Sequence, residues 1–178
     1  MPRRYLTFCP GEYYHFYNRG VNRGKIFFEE ENYFFFIRKV ERYLLPILDV
    51  SAYCLMPTHY HLLGCVKETS KVDQTSEVFE TSEVSLMVSR AMMRMSVSYT
   101  KSINKRNRRA GQLFQGAFQA KHISQNDYLW TIIDYFHQNP VAAGLVQRPE
   151  DWKHSSCRIY LGLKEAGYIK KGFGNGII

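Results

Sequence analysis

Between Glu30 and Leu45 the apolar residues Tyr33, Phe36, Ile37, Val40 and Leu44 recur at helical spacing, preceded by Glu29, Glu30 and Glu31, whose charge favours a helix N-terminus. This predicts a first helix, closed by Pro46. A second apolar stripe, Val84, Val88, Met92, Met95, Tyr99 and Ile103, predicts a long helix from Val84 to about Lys105. A third helix is expected from Ser124 to Gln138, begun by a Ser or Asn cap and left at Pro140 and Gly144. Strand patterns cover the aromatic-rich Glu12 to Tyr17, the paired runs Asp49 to Met56 and His59 to Val66 flanking Pro57-Thr58, and Leu113 to Ile123. Asn18-Arg19-Gly20 and Asn22-Arg23-Gly24 read as turns after the first strand. The order strand, helix, strand, strand, helix, strand, helix is the split βαβ pattern of an α+β, ferredoxin-like antiparallel sheet, with helices packed on one face and a third helix added.

At 178 residues, the chain has room for one well-buried core and not for two ordinary domains. Residues 1–178 are read as a single domain, with a core over 11–146 and a C-terminal extension over 147–178. Residues 67–83, which carry the short duplication Thr75-Ser-Glu-Val and Thr81-Ser-Glu-Val without hydrophobic periodicity, are expected to be a mobile surface loop. No apolar run approaches the roughly 20 residues of a spanning helix, and no apolar stretch follows the basic Met1-Pro2-Arg3-Arg4 as in a secretory signal. A cytoplasmic protein without a membrane partner is expected. The four cysteines, Cys9, Cys54, Cys65 and Cys157, lack C-x-x-C spacing and suit a reduced compartment.

Lys and Arg number 24 against 16 Asp and Glu, a net charge of +8 that makes nucleic acid the leading partner class. Arg90, Arg94, Lys101 and Lys105 fall within about 60° of one another on a helical projection. Arg106, Arg108 and Arg109 extend the stripe, while Arg19 and Arg23 add charge to the turns. These residues, with Lys121, form the expected DNA-binding set; an ordinary solvated helix face is the competing reading of the stripe.

Two constellations could carry chemistry. In His59-Tyr60-His61, strand alternation puts both imidazoles on one face, where they can chelate; two ordinary hairpin histidines would look the same. In Tyr135-Phe-His-Gln-Asn139, Tyr135 and Asn139 are one helical turn apart. Two imidazoles and one amide oxygen would leave positions open on a metal ion for a phosphodiester oxygen. Alternatively Tyr135 packs in the core and Asn139 caps its helix before Pro140. Gly172-Phe-Gly-Asn-Gly176, faintly like a phosphate loop, has no helix after it and reads as a tail.

Three ordered motifs, Met56-Pro-Thr-His-Tyr-His-Leu-Leu63, Leu113-Phe-Gln-Gly-Ala-Phe-Gln-Ala-Lys121 and Tyr135-Phe-His-Gln-Asn-Pro-Val-Ala-Ala-Gly-Leu-Val146, together resemble the single-tyrosine HUH transposases of the insertion-sequence type. More narrowly, they resemble the REP-associated tyrosine transposase branch. Asn18-Arg-Gly20 and Pro149-Glu-Asp-Trp-Lys-His-Ser-Ser156 fit too, so the resemblance spans about Tyr13 to Leu161. It implies a ferredoxin-like domain that nicks single-stranded DNA, often at the foot of a hairpin, and joins strands through a 5′-phosphotyrosine. By the same resemblance Tyr135 would be the nucleophile, His59 and His61 metal ligands, Asn139 a third ligand, and the ion Mg²⁺ or Mn²⁺.

The chain departs from that pattern at Tyr60, where the family usually has an aliphatic residue, and at Ala142, where it commonly has Arg. Related transposases are dimers that exchange the tyrosine helix, whereas this branch is held to be capable of working as a monomer; both states stay open. The rival to an enzyme is a domesticated protein that binds hairpin single-stranded DNA or RNA without cutting it. Both readings use the basic stripe, and only the enzyme requires His59, His61, Asn139 and Tyr135 to converge.

Overall fold

The computed structural model describes residues 6–68, 77–124, 126–165, 167 and 169. Its elements are β1 (Tyr13–Arg19), α1 (Glu30–Tyr43), β2 (Leu48–Met56), β3 (His59–Val66), α2 (Glu77–Arg106), β4 (Gln119–Ile123), α3 (Asn126–Ala142) and α4 (Cys157–Tyr160). The strands form one antiparallel sheet in the order β2-β3-β1-β4, the arrangement the split βαβ pattern predicts.

Each face of the sheet has its own core, because strand side chains alternate. On one face, Tyr14 and Phe16 of β1 and Tyr60 and Leu62 of β3 pack against α1 and α2. Tyr33, Phe36, Val40 and Leu44 are buried along the first helix and its end, and Val84, Val88, Met92, Met95, Tyr99 and Ile103 along α2, as the periodicity predicts. Glu29 and Asn32 close a capping box at the start of α1, with the Asn32 amide donating to Glu29 Oε1 at 3.1 Å. The bulky Tyr60 is accommodated here, fully buried with its ring 4.9 Å from that of Phe36. The opposite face carries a smaller core of Ala52, Cys54, Met56, Leu63 and Ile123 under Leu129, Ile132, Ile133 and Phe136 of α3. The third helix therefore lies across the sheet from the other two.

Strand β1 continues through Asn18 and Arg19, positions expected to turn, and three other boundaries differ from expectation by more than two residues. The final strand begins at Gln119, not Leu113, because Leu113 and Phe114 are consecutive and both buried, which an alternating strand on one core does not allow. Helix α2 begins at Glu77, so 77–83 of the expected loop are helical; residues 69–76 and the glycine-rich 172–176 lie outside the described residues. Helix α3 runs through Pro140 to Ala142 and ends at Gly144, whose φ of +68° supplies the left-handed turn that closes a helix. A proline in the last turn forfeits one hydrogen bond without stopping the helix, so Asn139 keeps its helical relation to Tyr135.

The described part of the C-terminal extension packs on the edge of β2. The Leu55 amide donates to the His154 carbonyl and the Ser156 amide to the Tyr53 carbonyl, both near 3 Å, while the Trp152 indole donates to the Leu55 carbonyl at 3.0 Å. An otherwise open edge strand is thereby paired. Two buried imidazoles hold this segment: His137 of α3 bonds Ser156 Oγ at 2.9 Å, and His154 stacks on Tyr33 with ring centroids 3.8 Å apart. Burial pushes both imidazoles down to about 4. The unfolded chain protonates these groups near pH 6.5 while the folded chain resists, so stability is complete above pH 6.5 and is lost as pH falls toward 4. The urea midpoint should accordingly fall between pH 7.5 and pH 5, each histidine costing roughly 2 kcal/mol at pH 5. His137→Gln should flatten that dependence in urea titrations across the same range.

Candidate active site

The β1–β3 register pairs Tyr17 with His61 and Arg19 with His59. Side chains at these positions, and at His15 two residues back, share the sheet face that α3 covers. Tyr135 stands near the C-terminal end of α3, 54% exposed, its ring centroid 5.8 Å from that of His61. Phe136 beside it is fully buried and holds the helix down on His61 and His15, at 5.2 and 4.8 Å. A cavity of about 550 Å³ opens at this end of the sheet. Tyr17, Asn18, Arg19, His59, His61 and Tyr135 line it, together with Gln115 to Ala117 and Gln119.

The imidazoles form a chain. His59 and His61 rings are 5.0 Å apart, and His61 Nδ1 lies 2.9 Å from His15 Nε2. His59 Nδ1 is bonded to Thr58 Oγ1 at 2.9 Å, which leaves its Nε2 free for another partner. His61 Nε2 is buried with no hydrogen-bond partner. Burial, reinforced by His15 and His59, pushes His61 down to about 2; burial and then Lys121 push His15 down to about 4; burial and Arg19 lower His59. All three rings are therefore neutral at pH 7, the state in which imidazole binds a metal.

His59 and His61 thus fit a divalent ion, through one free and one orphaned nitrogen. The expected third ligand is not with them: the Asn139 amide nitrogen donates to its own helix, to the Tyr135 carbonyl at 2.7 Å, and Asn139 does not line the cavity. Among the described residues no three His, Cys, Asp or Glu side chains group to hold a metal. His15 does not complete a triad, because its Nε2 faces His61 and not the cavity.

The structure divides the basic set. Arg19 lines the cavity and Arg23 is exposed in the Val21–Arg23 turn beyond it. Lys121 extends over the Tyr128 ring at 5.7 Å, on the α3 side. Lys105, Arg106, Arg108 and Arg109 stand at the end of α2 that leads into the cavity-lining loop, with Arg106 paired to Glu29 and Arg109 over the Phe28 ring. Arg90, Arg94 and Lys101 are exposed on α2, across the sheet from α3 and away from the cavity. His15, Tyr17 and Gln119 belong to the site without having been singled out in the sequence. The alternation His15-x-Tyr17-x-Arg19 is the signal that marks the first two, once the strand is known to pair with His59-x-His61.

An α+β protein with a ferredoxin-like sheet and a tyrosine presented beside paired imidazoles is the class these features define. Neither a family model nor a curated protein matches this chain. Among solved structures, a REP-associated tyrosine transposase bound to a REP hairpin superposes with a TM-score of 0.63 at 15% identity, covering 100% of this chain and 94% of that one. The chain shares that protein's fold. Two further structures align less well: a "putative transposase from deinococcus radiodurans r1" (TM-score 0.36, 16% identity, 76% of this chain and 93% of that one), and a bacterial tRNA(His) guanylyltransferase-like protein in complex with ATP (0.47, 9%, 91% and 75%).

Asn18-Arg19-Gly20 frames the cavity for a steric reason. The Asn18 amide donates to the Gly116 carbonyl at 3.0 Å, and the Gly20 amide donates to Thr58 at 2.8 Å. A Cβ on Gly20 would sit 2.0 Å from the Gly24 carbonyl oxygen, a backbone atom that cannot yield without opening the turn. Gly20→Ala should cost about 1–3 kcal/mol, read as a lower urea midpoint.

Proposed function

We propose that this protein is a metal-dependent single-stranded DNA endonuclease and strand transferase that acts on hairpin-forming DNA through a 5′-phosphotyrosine. The observation that carries this reading is the position of the Tyr135 ring, solvent-accessible at the cavity and 5.8 Å from that of His61. The fold shared with a transposase that was solved on a hairpin supports the substrate class. So does the net charge of +8, with Arg19 at the cavity and basic residues ending α2.

His59 and His61 would hold Mg²⁺ or Mn²⁺, which would polarise a phosphodiester oxygen as a Lewis acid. Tyr135 Oη attacks the phosphorus, forming a tyrosyl–phosphate ester at the 5′ end as the bond to the 3′ oxygen breaks. The phenolic proton leaves to solvent and a proton is taken up by the departing 3′ oxygen, giving a free 3′-hydroxyl. The ester keeps the energy of the broken bond, so another 3′-hydroxyl can reverse the step without ATP. Arg19 and Tyr17 at the cavity wall suit a phosphate and a base respectively.

One observation favours a second reading. Asn139 does not line the cavity, and two imidazoles there without the amide oxygen suit a protein that binds a hairpin without cutting it. The two readings part on a denaturing gel of the protein with labelled hairpin DNA pools and Mn²⁺. A covalent adduct should form, and Tyr135→Phe and His61→Ala should each reduce it at least about 100-fold, while Tyr135→Phe still binds DNA. Salt-sensitive binding without any adduct would establish the non-cutting binder.

A further inference from the structure

We propose that His15 is a positioning residue, whose hydrogen bond to His61 fixes the imidazole tautomer that turns a lone pair on Nε2 toward the cavity. The inference rests on the reading of His61 as a metal ligand and extends it to a residue on another strand. His15 lies on β1, diagonal to His61 across the β1–β3 pair, with ring centroids 5.0 Å apart and Nε2 to Nδ1 at 2.9 Å. Its ring is held between Tyr17 and Phe136, each at 4.8 Å between centroids, so it has little freedom to turn away.

A bond between two ring nitrogens contains one hydrogen. If that hydrogen sits on His61 Nδ1, His15 Nε2 accepts it and His61 Nε2 is a bare lone pair able to ligate. If it sits on His15 Nε2, His61 Nε2 carries the hydrogen and cannot. His61 Nε2 is the only imidazole nitrogen among the described residues that is buried without a partner, as suits an atom kept for a ligand. Metal-binding histidines generally donate their second nitrogen to an acceptor behind them, and His15 occupies that place. His59 has the equivalent support from the Thr58 hydroxyl, so both Nδ1 atoms are engaged and neither Nε2 is.

The test uses the full chain and Mn²⁺, with binding followed by calorimetry and the ring tautomers by ¹⁵N NMR of the metal-free protein. Wild-type His61 should carry its hydrogen on Nδ1. His15→Phe should weaken Mn²⁺ binding about 10- to 100-fold and shift His61 toward the other tautomer. His15→Gln, whose amide oxygen can accept the same hydrogen, should restore both. The proposal is overturned by itself if His61→Ala loses Mn²⁺ while His15→Phe keeps wild-type affinity and tautomer. Equal loss in His15→Phe and His15→Gln with the tautomer unchanged also overturns it, as a packing role would give. If His61→Ala binds Mn²⁺ as wild type does, the metal reading fails, and with it the role assigned to His15.

Discussion

The pairing of β1 with β3 is the constraint on which the site depends. Seven residue pairs, from Tyr13 with Cys65 to Arg19 with His59, set the register, and alternation assigns every side chain on both strands to a face. A slip of one residue would send His15, Tyr17 and Arg19 to the face that α1 and α2 cover, and bring Tyr14, Phe16 and Asn18 under α3. The register is specified by burial: Tyr14, Phe16, Tyr60 and Leu62 are all nearly inaccessible on the α1–α2 side. Packing on one face thereby positions chemistry on the other.

The C-terminal segment secures the same arrangement from outside the sheet. Pairing of 154–156 with β2 protects an edge strand, and the His137 bond to Ser156 ties that segment to α3. Tyr135 and His137 lie two residues apart on one helix and face different surroundings, one at the cavity and one in this packed seam. The motif Tyr135-Phe-His-Gln-Asn139 therefore combines a candidate nucleophile, a core anchor in Phe136 and a structural histidine. Trp152, His154 and Ser156 likewise belong to the clamp and not to the site.

Charge is distributed over two layers. The end of α2 and the turn after β1 bring basic residues to the cavity end of the sheet, whereas Arg90, Arg94 and Lys101 lie on the far layer. A helical projection groups residues by angle and is blind to position along the axis. Arg90 and Lys105 share a stripe although fifteen residues at about 1.5 Å rise separate them by more than 20 Å.

Periodicity within each segment is a local property of the backbone, and that much the chain determined by itself. Both α1 and α2 stripes, the common face of His59 and His61, and the order of elements that yields this sheet were legible for that reason. The ends of elements were less so: the start of β4 at Gln119 and the passage of α3 through Pro140 depend on what each segment meets in the core. Contacts between distant segments were decided by tertiary structure alone. His15 meets His61 across 46 residues and Ser156 meets Tyr53 across 103, through a register and a packing that no local pattern encodes. The Asn139 amide is the instructive case, because helical spacing placed it with Tyr135 but could not say whether it would face the cavity or bond to its own helix.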